Sequence, residues 1–294
     1  VNPMGRDLTG PEFFEKRVSD YLEGVFQKLG VRYQRIEVAP GRANVIARFD
    51  SPNAKTTVML DAHQDTVPTD GFADPFNPVI RDGKLFGRGS CDVKGGMAAM
   101  LSAFARLVRE KPAGAANVIM SCTCDEESTS LGVNDLTTLW TDPSKAGSII
   151  ERQPDIAIVA EPTQLDVVVA HRGATRWKIR TTGRACHSSA PHEGVNAIYK
   201  MGRVLIALEE FATKLTKMIP AHPLCGPATL SVGRITGGIS VNTVPDSCEI
   251  EIDRRVIPGE DGWDAIKQVR EHFASRLDFE VEHLPPWLVG VSLS

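Results

Sequence analysis

Three apolar runs of this sequence end in groups that bind metal ions or move protons. VMLDAHQD, residues 58–65, ends in His63 and Asp65; VIMSCTCDEE, residues 118–127, ends in Asp125, Glu126 and Glu127; IAIVAEP, residues 156–162, ends in Glu161. A fourth group, Asp92, sits in the glycine-rich stretch GRGSCDVKGG, residues 87–96. Each fragment has an ordinary structural use. A strand-end His forms hydrogen bonds, adjacent acids solvate a loop, and an Asp ahead of a helix caps it or sits well at the positive end of its dipole. Four such groups gathered at one edge of a sheet are better explained as one site. Imidazole with several carboxylates suits Zn²⁺ or a related divalent ion better than Ca²⁺. Carboxylates beyond the needs of one ion point to two, bridged by a carboxylate about 3.5–4 Å apart. One acid left free would take the proton from a water made nucleophilic near neutral pH. GRGSCDVKGG lacks the Gly-Lys-Ser/Thr ending of a phosphate loop, which sets a nucleotide-binding reading aside.

The elements that must position these groups follow from hydrophobic period. Residues 11–29 carry Phe14, Val18, Tyr21, Leu22, Val25, Phe26 and Leu29 on one helical face, with Gly30 as the stop. Residues 94–110 form the clearest helix, opening at Gly95-Gly96. Runs 44–49, 56–62, 117–124 and 155–160 are apolar and β-prone. Strands alternating with helices predict an α/β domain with a mostly parallel sheet covered on both faces. In such sheets, sites form outside the carboxyl ends of the strands. After about residue 171 the texture changes. Runs 175–182, 229–236 and 247–253 alternate apolar with polar residues, 279–283 is a possible fourth strand, and helical patterns cover 196–217 and 263–276. This predicts an inserted α+β domain of four antiparallel strands with two helices on one face. The expected division is 1–171 for a metal-binding catalytic domain, 172–284 for the inserted domain, and 285–294 for the start of a return to the first.

Composition narrows the function. The 294 residues include 42% hydrophobic side chains, enough for a sizeable core. A net charge of -4 and a pI near 6.0 leave no basic footprint for nucleic acid. No apolar stretch reaches the roughly eighteen residues that cross a membrane. The six cysteines form no C-x-x-C pair and read as reduced thiols, so a cytoplasmic location is expected.

Taken in order, HQDTVP, DPFNPVIRDGKLFGRGSCDVKGGMAAML, DEES, VAEPT, GRACHSSAPHEGVNAI and GGISVNTVPDSCEIEIDRR span almost the whole chain. This series resembles the co-catalytic zinc amidohydrolases and peptidases that include acetylornithine deacetylase, succinyl-diaminopimelate desuccinylase, aminoacylase and the glutamate-releasing carboxypeptidases. The resemblance implies two divalent ions, Zn²⁺ first, with Co²⁺ or Mn²⁺ as alternatives. His63 and Glu161 match ligands of the first ion, Asp92 the bridging carboxylate, Glu127 a ligand of the second ion and Glu126 the general base. The peptide bond after Asp92 is expected to be cis. Asp65 matches the residue that holds the His63 ring, since alternate strand residues share a face and a ligating imidazole needs a partner on its other nitrogen. The second domain resembles the family's lid and dimerisation domain. There His187 matches an oxyanion-stabilising histidine, and Asn242 and Arg255 match groups that bind the substrate's carbonyl or carboxylate. His192 and His222 read as loop residues beside prolines, and His272 and His283 as lid residues without a ligand's context. Gln64 and the stretch 128–136 are candidates for shaping the pocket.

The family pattern continues past the lid with a segment that supplies a last histidine for the second ion. Nothing resembling that segment precedes Ser294, and VNPMG resembles the turn after the family's first helix. The expectation is therefore an incomplete second metal site and a chain that lacks activity by itself. The implied reaction is hydrolysis of the amide bond of an N-acyl amino acid, of deacetylase or desuccinylase type, in a homodimer. A small-peptide carboxypeptidase or dipeptidase is the alternative, and a non-catalytic binding or dimerising relative the third reading.

Overall fold

The computed structural model describes residues 1–4, 6–10, 12–273, 278–288 and 290–292, with the side chains of 283 and 285–288 outside the description. The chain divides into two compact units, Val1–Asp166 and Val167–Ser294. The break falls a few residues ahead of the expected one, because Ala170–His171 pair with Val291–Ser292 inside the second unit.

The first unit runs α1 (Lys16–Leu29), β1 (Arg32–Ala39), β2 (Arg42–Phe49), β3 (Thr57–His63), α2 (Gly95–Glu110), β4 (Asn117–Thr123), α3 (Leu131–Thr141) and β5 (Ile156–Val159). Its sheet has the order β1-β2-β4-β3-β5. Alternation decides what covers it. Val45, Ala47 and Phe49 of β2, with Met120 and Cys122 of β4, face Leu22 and Phe26 of α1 and Met97 and Phe104 of α2. Ile46, Met59 and Ile119 face the other way, onto Leu136 and Leu139 of α3. A strand apolar on both faces needs helices on both, and here it has them. The three strands that end in site residues, β4, β3 and β5, are parallel, while β1, β2 and β4 pair antiparallel. Strand β1 was not predicted. It carries Arg32, Gln34, Arg35 and Glu37 at the sheet's edge, where charges discourage further pairing and blur the apolar signal.

Helix α1 begins at Lys16, later than the periodicity suggested. Phe14 has a positive φ of 62°, which no helix tolerates, and residue 11 lies outside the described residues. Tyr21, predicted on the buried face, stands 68% exposed at the edge of the stripe. Gly30 ends the helix in the left-handed conformation, its amide donating back to the carbonyls of Phe26 and Gln27.

The second unit contains β6 (Gly173–Thr182), α4 (Ala197–Met218), β7 (Thr229–Gly237), β8 (Ser247–Val256), α5 (Gly262–Phe273) and β9 (Glu280–Leu288). Its sheet, β7-β8-β6-β9, is antiparallel throughout. Trp177, Ile179, Ile250 and Ile252 pack on Met201, Val204, Leu208 and Phe211 of α4 and on Ile266, Val269 and Phe273 of α5. Asn196 caps α4 by accepting the Tyr199 amide. The other sheet face bears ion pairs, among them Arg176–Asp253, Lys178–Glu249 and Arg234–Glu251. Among the described residues no helix is long and apolar enough to cross a membrane.

Candidate metal centre

Parallel register brings the site together. In the ladder His63 lies opposite Thr123 and Asp61 opposite Val159, so β3, β4 and β5 end in step. The residues just past those ends, Asp65, Glu126, Glu127 and Glu161, therefore emerge along one edge. The His63 ring is 3% exposed. Its Nε2 lies 2.9 Å from Asp92 Oδ1, and its Nδ1 lies 3.4 Å from Asp65 Oδ1.

Asp92 reaches the ring through an irregular turn, Ser90–Lys94, in which Asp92 and Val93 leave helical torsions. The Asp92–Val93 bond is cis, as expected. No side chain caps α2, so the capping use of Asp92 is not the one adopted. Lys94 Nζ ties the turn back to the end of β3 by donating to the Asp65 carbonyl at 2.8 Å. Gly96 lets the first turn of α2 approach β5: a Cβ there would lie 2.9 Å from that of Ala160, the neighbour of Glu161.

Asp65 joins two loops. Besides facing His63, its carboxylate accepts the backbone amides of Glu126 at 3.2 Å and Glu127 at 3.1 Å. It also accepts Asn2 Nδ2 at 2.7 Å. One carboxylate thus sets both the ring and the backbone that carries two site acids.

Two sets of ligand atoms converge, His63 with Asp92 and Glu161, and His63 with Glu126 and Glu127, each within 4.8 Å of one another. Electrostatics fit a divalent cation here. Partial desolvation and then the neighbouring Glu126, Asp92 and Glu127 push Glu161, itself an exposed residue, up to about 7. Burial also raises Glu126 and Glu127, with Asp92 adding repulsion to both. For His63, burial alone would lower the pKa, but Asp65, Glu126 and Asp92 outweigh it and push it up to about 9. Burial would raise Asp65, yet His63 and Asn2 hold it at about 2. Acids held back from ionising by desolvation first and by one another second are a setting that a cation would relieve. An imidazole Nε2 among carboxylate oxygens is the donor chemistry of a Zn²⁺-type site.

All five residues expected as ligands or base meet: His63, Asp92, Glu126, Glu127 and Glu161. Asp125, the first acid of its run, turns away and is buried against Arg42 Nη1 at 2.7 Å. Gln64 does not shape the site: its Nε2 donates to the Ala43 and Cys122 carbonyls and its Oε1 accepts Ser19 Oγ. It follows His63 on the strand and so points to the opposite face. Residues 131–136 of the stretch proposed for the pocket belong to α3.

In the second unit, His187 pairs in register with Thr243, and the Ser188 amide donates to the Asn242 carbonyl at 3.0 Å. His187 and Asn242 therefore lie side by side, near a cleft of about 780 Å³ lined by Ser188, Asn196, Tyr199 and Thr243. Arg255 lies at the opposite end of β8, with Nε donating to Asp253 Oδ1 at 2.7 Å. His272 packs its ring on Phe211, with centroids 5.1 Å apart, and His222 Nδ1 accepts the Leu224 and Cys225 amides. The side chain of His283 lies outside the described residues. The residues missed were Asn2, Arg42 and the Lys94 amine. Nothing local marks them; they matter through contacts far apart in sequence.

Known proteins resemble this chain along most of its length. The family described as Peptidase family M28 matches residues 44–203, and the M20 peptidase dimerisation domain matches residues 169–279. Acetylornithine deacetylase of Vibrio campbellii is 34% identical over 297 residues, covering 94% of this chain and 75% of the relative. That of Vibrio cholerae is 33% identical over 305 residues, covering 96% and 76%. An M20 family metallo-carboxypeptidase from Sulfolobus solfataricus matches with a TM-score of 0.70 at 18% identity, over 91% of this chain and 73% of that one, a likeness of fold.

Proposed function

This chain belongs to the metal-dependent peptidase and amidohydrolase family that includes acetylornithine deacetylase, and on that premise we propose that it hydrolyses the amide bond of N-acyl amino acids of the deacetylase or desuccinylase type. The observation that carries this reading is the convergence of one imidazole and four carboxylates at the carboxyl edge of three parallel strands. His63, Asp92 and Glu161 would hold one divalent ion, and Asp92 with Glu127 would hold a second, Zn²⁺ being the best match. Such ions, when bound, supply Lewis acidity toward a carbonyl and make water nucleophilic near neutral pH.

The chain's own groups do the rest. Glu126 takes a proton from the attacking water as its oxygen adds to the acyl carbon. The same carboxyl then hands the proton to the amide nitrogen as the C–N bond breaks, releasing the free acid and the amino acid. Partial desolvation raises Glu126 above an ordinary carboxylate, the direction that suits a group that both takes and returns a proton. His187 would donate to the oxyanion of the tetrahedral intermediate. Asn242 and Arg255 would bind the substrate's carbonyl and carboxylate, the latter suited to the planar guanidinium. The match of residues 169–279 to a dimerisation domain supports a homodimer formed through the second unit. Six free cysteines support a reducing, cytoplasmic setting.

The test, made on the full-length protein, is metal content per chain after dialysis, together with hydrolysis of N-acetyl amino acids including acetylornithine, N-succinyl amino acids and dipeptides. Bound metal with preferential cleavage of one acyl class supports the reading. Cleavage of dipeptides alone assigns the site to peptidase chemistry, and a metal-free chain without turnover overturns the proposal.

A further inference from the structure

Asn2 uses every hydrogen-bonding group of its side chain. Its Nδ2 donates to Asp65 Oδ2 at 2.7 Å and to Asp125 Oδ1 at 2.8 Å. Its Oδ1 accepts Arg42 Nη2 at 3.2 Å and the Met4 amide at 2.9 Å. Its own amide donates to the Thr66 carbonyl at 2.8 Å, and the residue is 0% exposed. The two carboxylates it joins belong to different loops, Asp65 after β3 and Asp125 after β4. Arg42 reaches Asp125 and Glu15. Among the described contacts, Asn2 is what couples that charged cluster to Asp65. A neutral amide is the side chain this position needs, since it offers one proton to each of two acids and adds no charge between them.

Asp65 is also the acceptor that fixes the Glu126 and Glu127 amides and faces the His63 ring. A carboxylate left free to rotate would release all three. We propose that Asn2 is a positioning residue of the metal centre: through Asp65 it sets both the His63 ring and the backbone from which Glu126 and Glu127 project. This inference rests on the metal-centre reading above. It makes a residue before the first helix, touching neither ligand atoms nor substrate, part of what holds the ion.

The experiment compares the parent chain with Asn2→Ala, Asn2→Asp and a control, Ser19→Ala. Ser19 is equally buried and donates to Gln64 at 2.8 Å, but Gln64 turns away from the centre. Zn²⁺ affinity is read by competition with a chelator, below the melting midpoint of each metal-free protein. Values of kcat and KM are read at saturating Zn²⁺. Both Asn2 variants are expected to bind Zn²⁺ about tenfold more weakly, the low end of the cost of losing a metal ligand's own partner, because Asn2 acts through Asp65. At saturating metal kcat falls while KM holds, because Asn2 does not touch substrate. Ser19→Ala lowers the midpoint and leaves Zn²⁺ affinity unchanged. Asn2→Asp keeps the size and the acceptor oxygen but puts a third acid between Asp65 and Asp125, so Asn2→Ala, which adds no charge, carries the test if the aspartate variant does not fold. Parent-like affinity in either Asn2 variant, or an equal loss in Ser19→Ala, overturns the proposal alone. A parent that binds no Zn²⁺ overturns the metal-centre reading and the proposal with it.

Discussion

In the first unit, buried charged and polar side chains gather behind one end of the sheet: Glu15, Arg42, His63, Asp65 and Asp125 are all below a tenth exposed. In the second unit the packed face is apolar from Trp177 to Phe273, and most ion pairs stand on the open face of the sheet. Arg254, buried against Glu260, is an exception. Taking charges out of water is costly unless they are paired and hydrogen-bonded, and removing one partner then strands the other. Solvated pairs bring little and cost little. The contrast teaches where each unit's sequence is constrained. The first holds its charges in fixed places behind the site they support, and the second rests chiefly on its apolar stripes.

The largest effect that would test this contrast is on turnover. Glu126→Gln should lower kcat about 10²–10⁴-fold, the range for a lost general base, with metal content per chain unchanged. Parent-like turnover would remove Glu126 from the chemistry and leave the first unit's buried acids without a functional reason.

Next is stability. Arg42 Nη1 holds Glu15 at 2.9 Å and Asp125 at 2.7 Å, so Arg42→Ala leaves two buried carboxylates without their cation. The expected loss is about 3–5 kcal/mol in denaturant unfolding. A loss indistinguishable from that of a surface substitution would erase the distinction between the units.

A smaller effect sharpens the comparison through pH. One guanidinium serves two acids, and burial, opposed by Arg42, pushes Glu15 up to about 7 from 4.5. The folded state therefore binds this proton more readily than the unfolded chain. Its contribution to stability is present at low pH and is lost as pH rises from about 4.5 through about 7. Glu15→Gln does not titrate. The stability of the variant relative to the parent should rise across that window and level off above it. A difference that stays constant with pH would show that Glu15 folds in already ionised.

The smallest effect belongs to the second unit. Arg180 pairs with Glu249 at 2.9 Å on the exposed face, and Arg180→Ala should leave the unfolding midpoint where it was. A marked drop would mean that the surface ladder, and not the apolar stripes alone, holds this sheet.

Much of the architecture could be read before folding. The apolar runs of β3, β4 and β5, the periodicity of α2 and α4, and the Gly30 stop are properties of neighbours within a turn or two. Strand β1 escaped because edge position lets charged residues interrupt its pattern. Tyr21 was misplaced because a helical stripe does not say how wide its cover is. Gln64 looked like a pocket residue only because of its company in HQD; parity sends it to the far face.

Residue type and order alone therefore determined which groups could bind a metal and, through the ordered motifs, the family to which the chain belongs; the resemblance then marked Glu126 as the candidate base. The first of these rests on donor chemistry and on short-range spacing, which a linear chain displays. Tertiary structure alone decided that β3 lies between β4 and β5 in parallel register, so that groups up to 98 positions apart, His63 and Glu161, meet within 4.8 Å. It also decided that Asn2, Arg42 and Asp125 form the support behind Asp65. A hydrogen bond between residues 123 positions apart leaves no local trace, because its partners become neighbours only when the sheet packs.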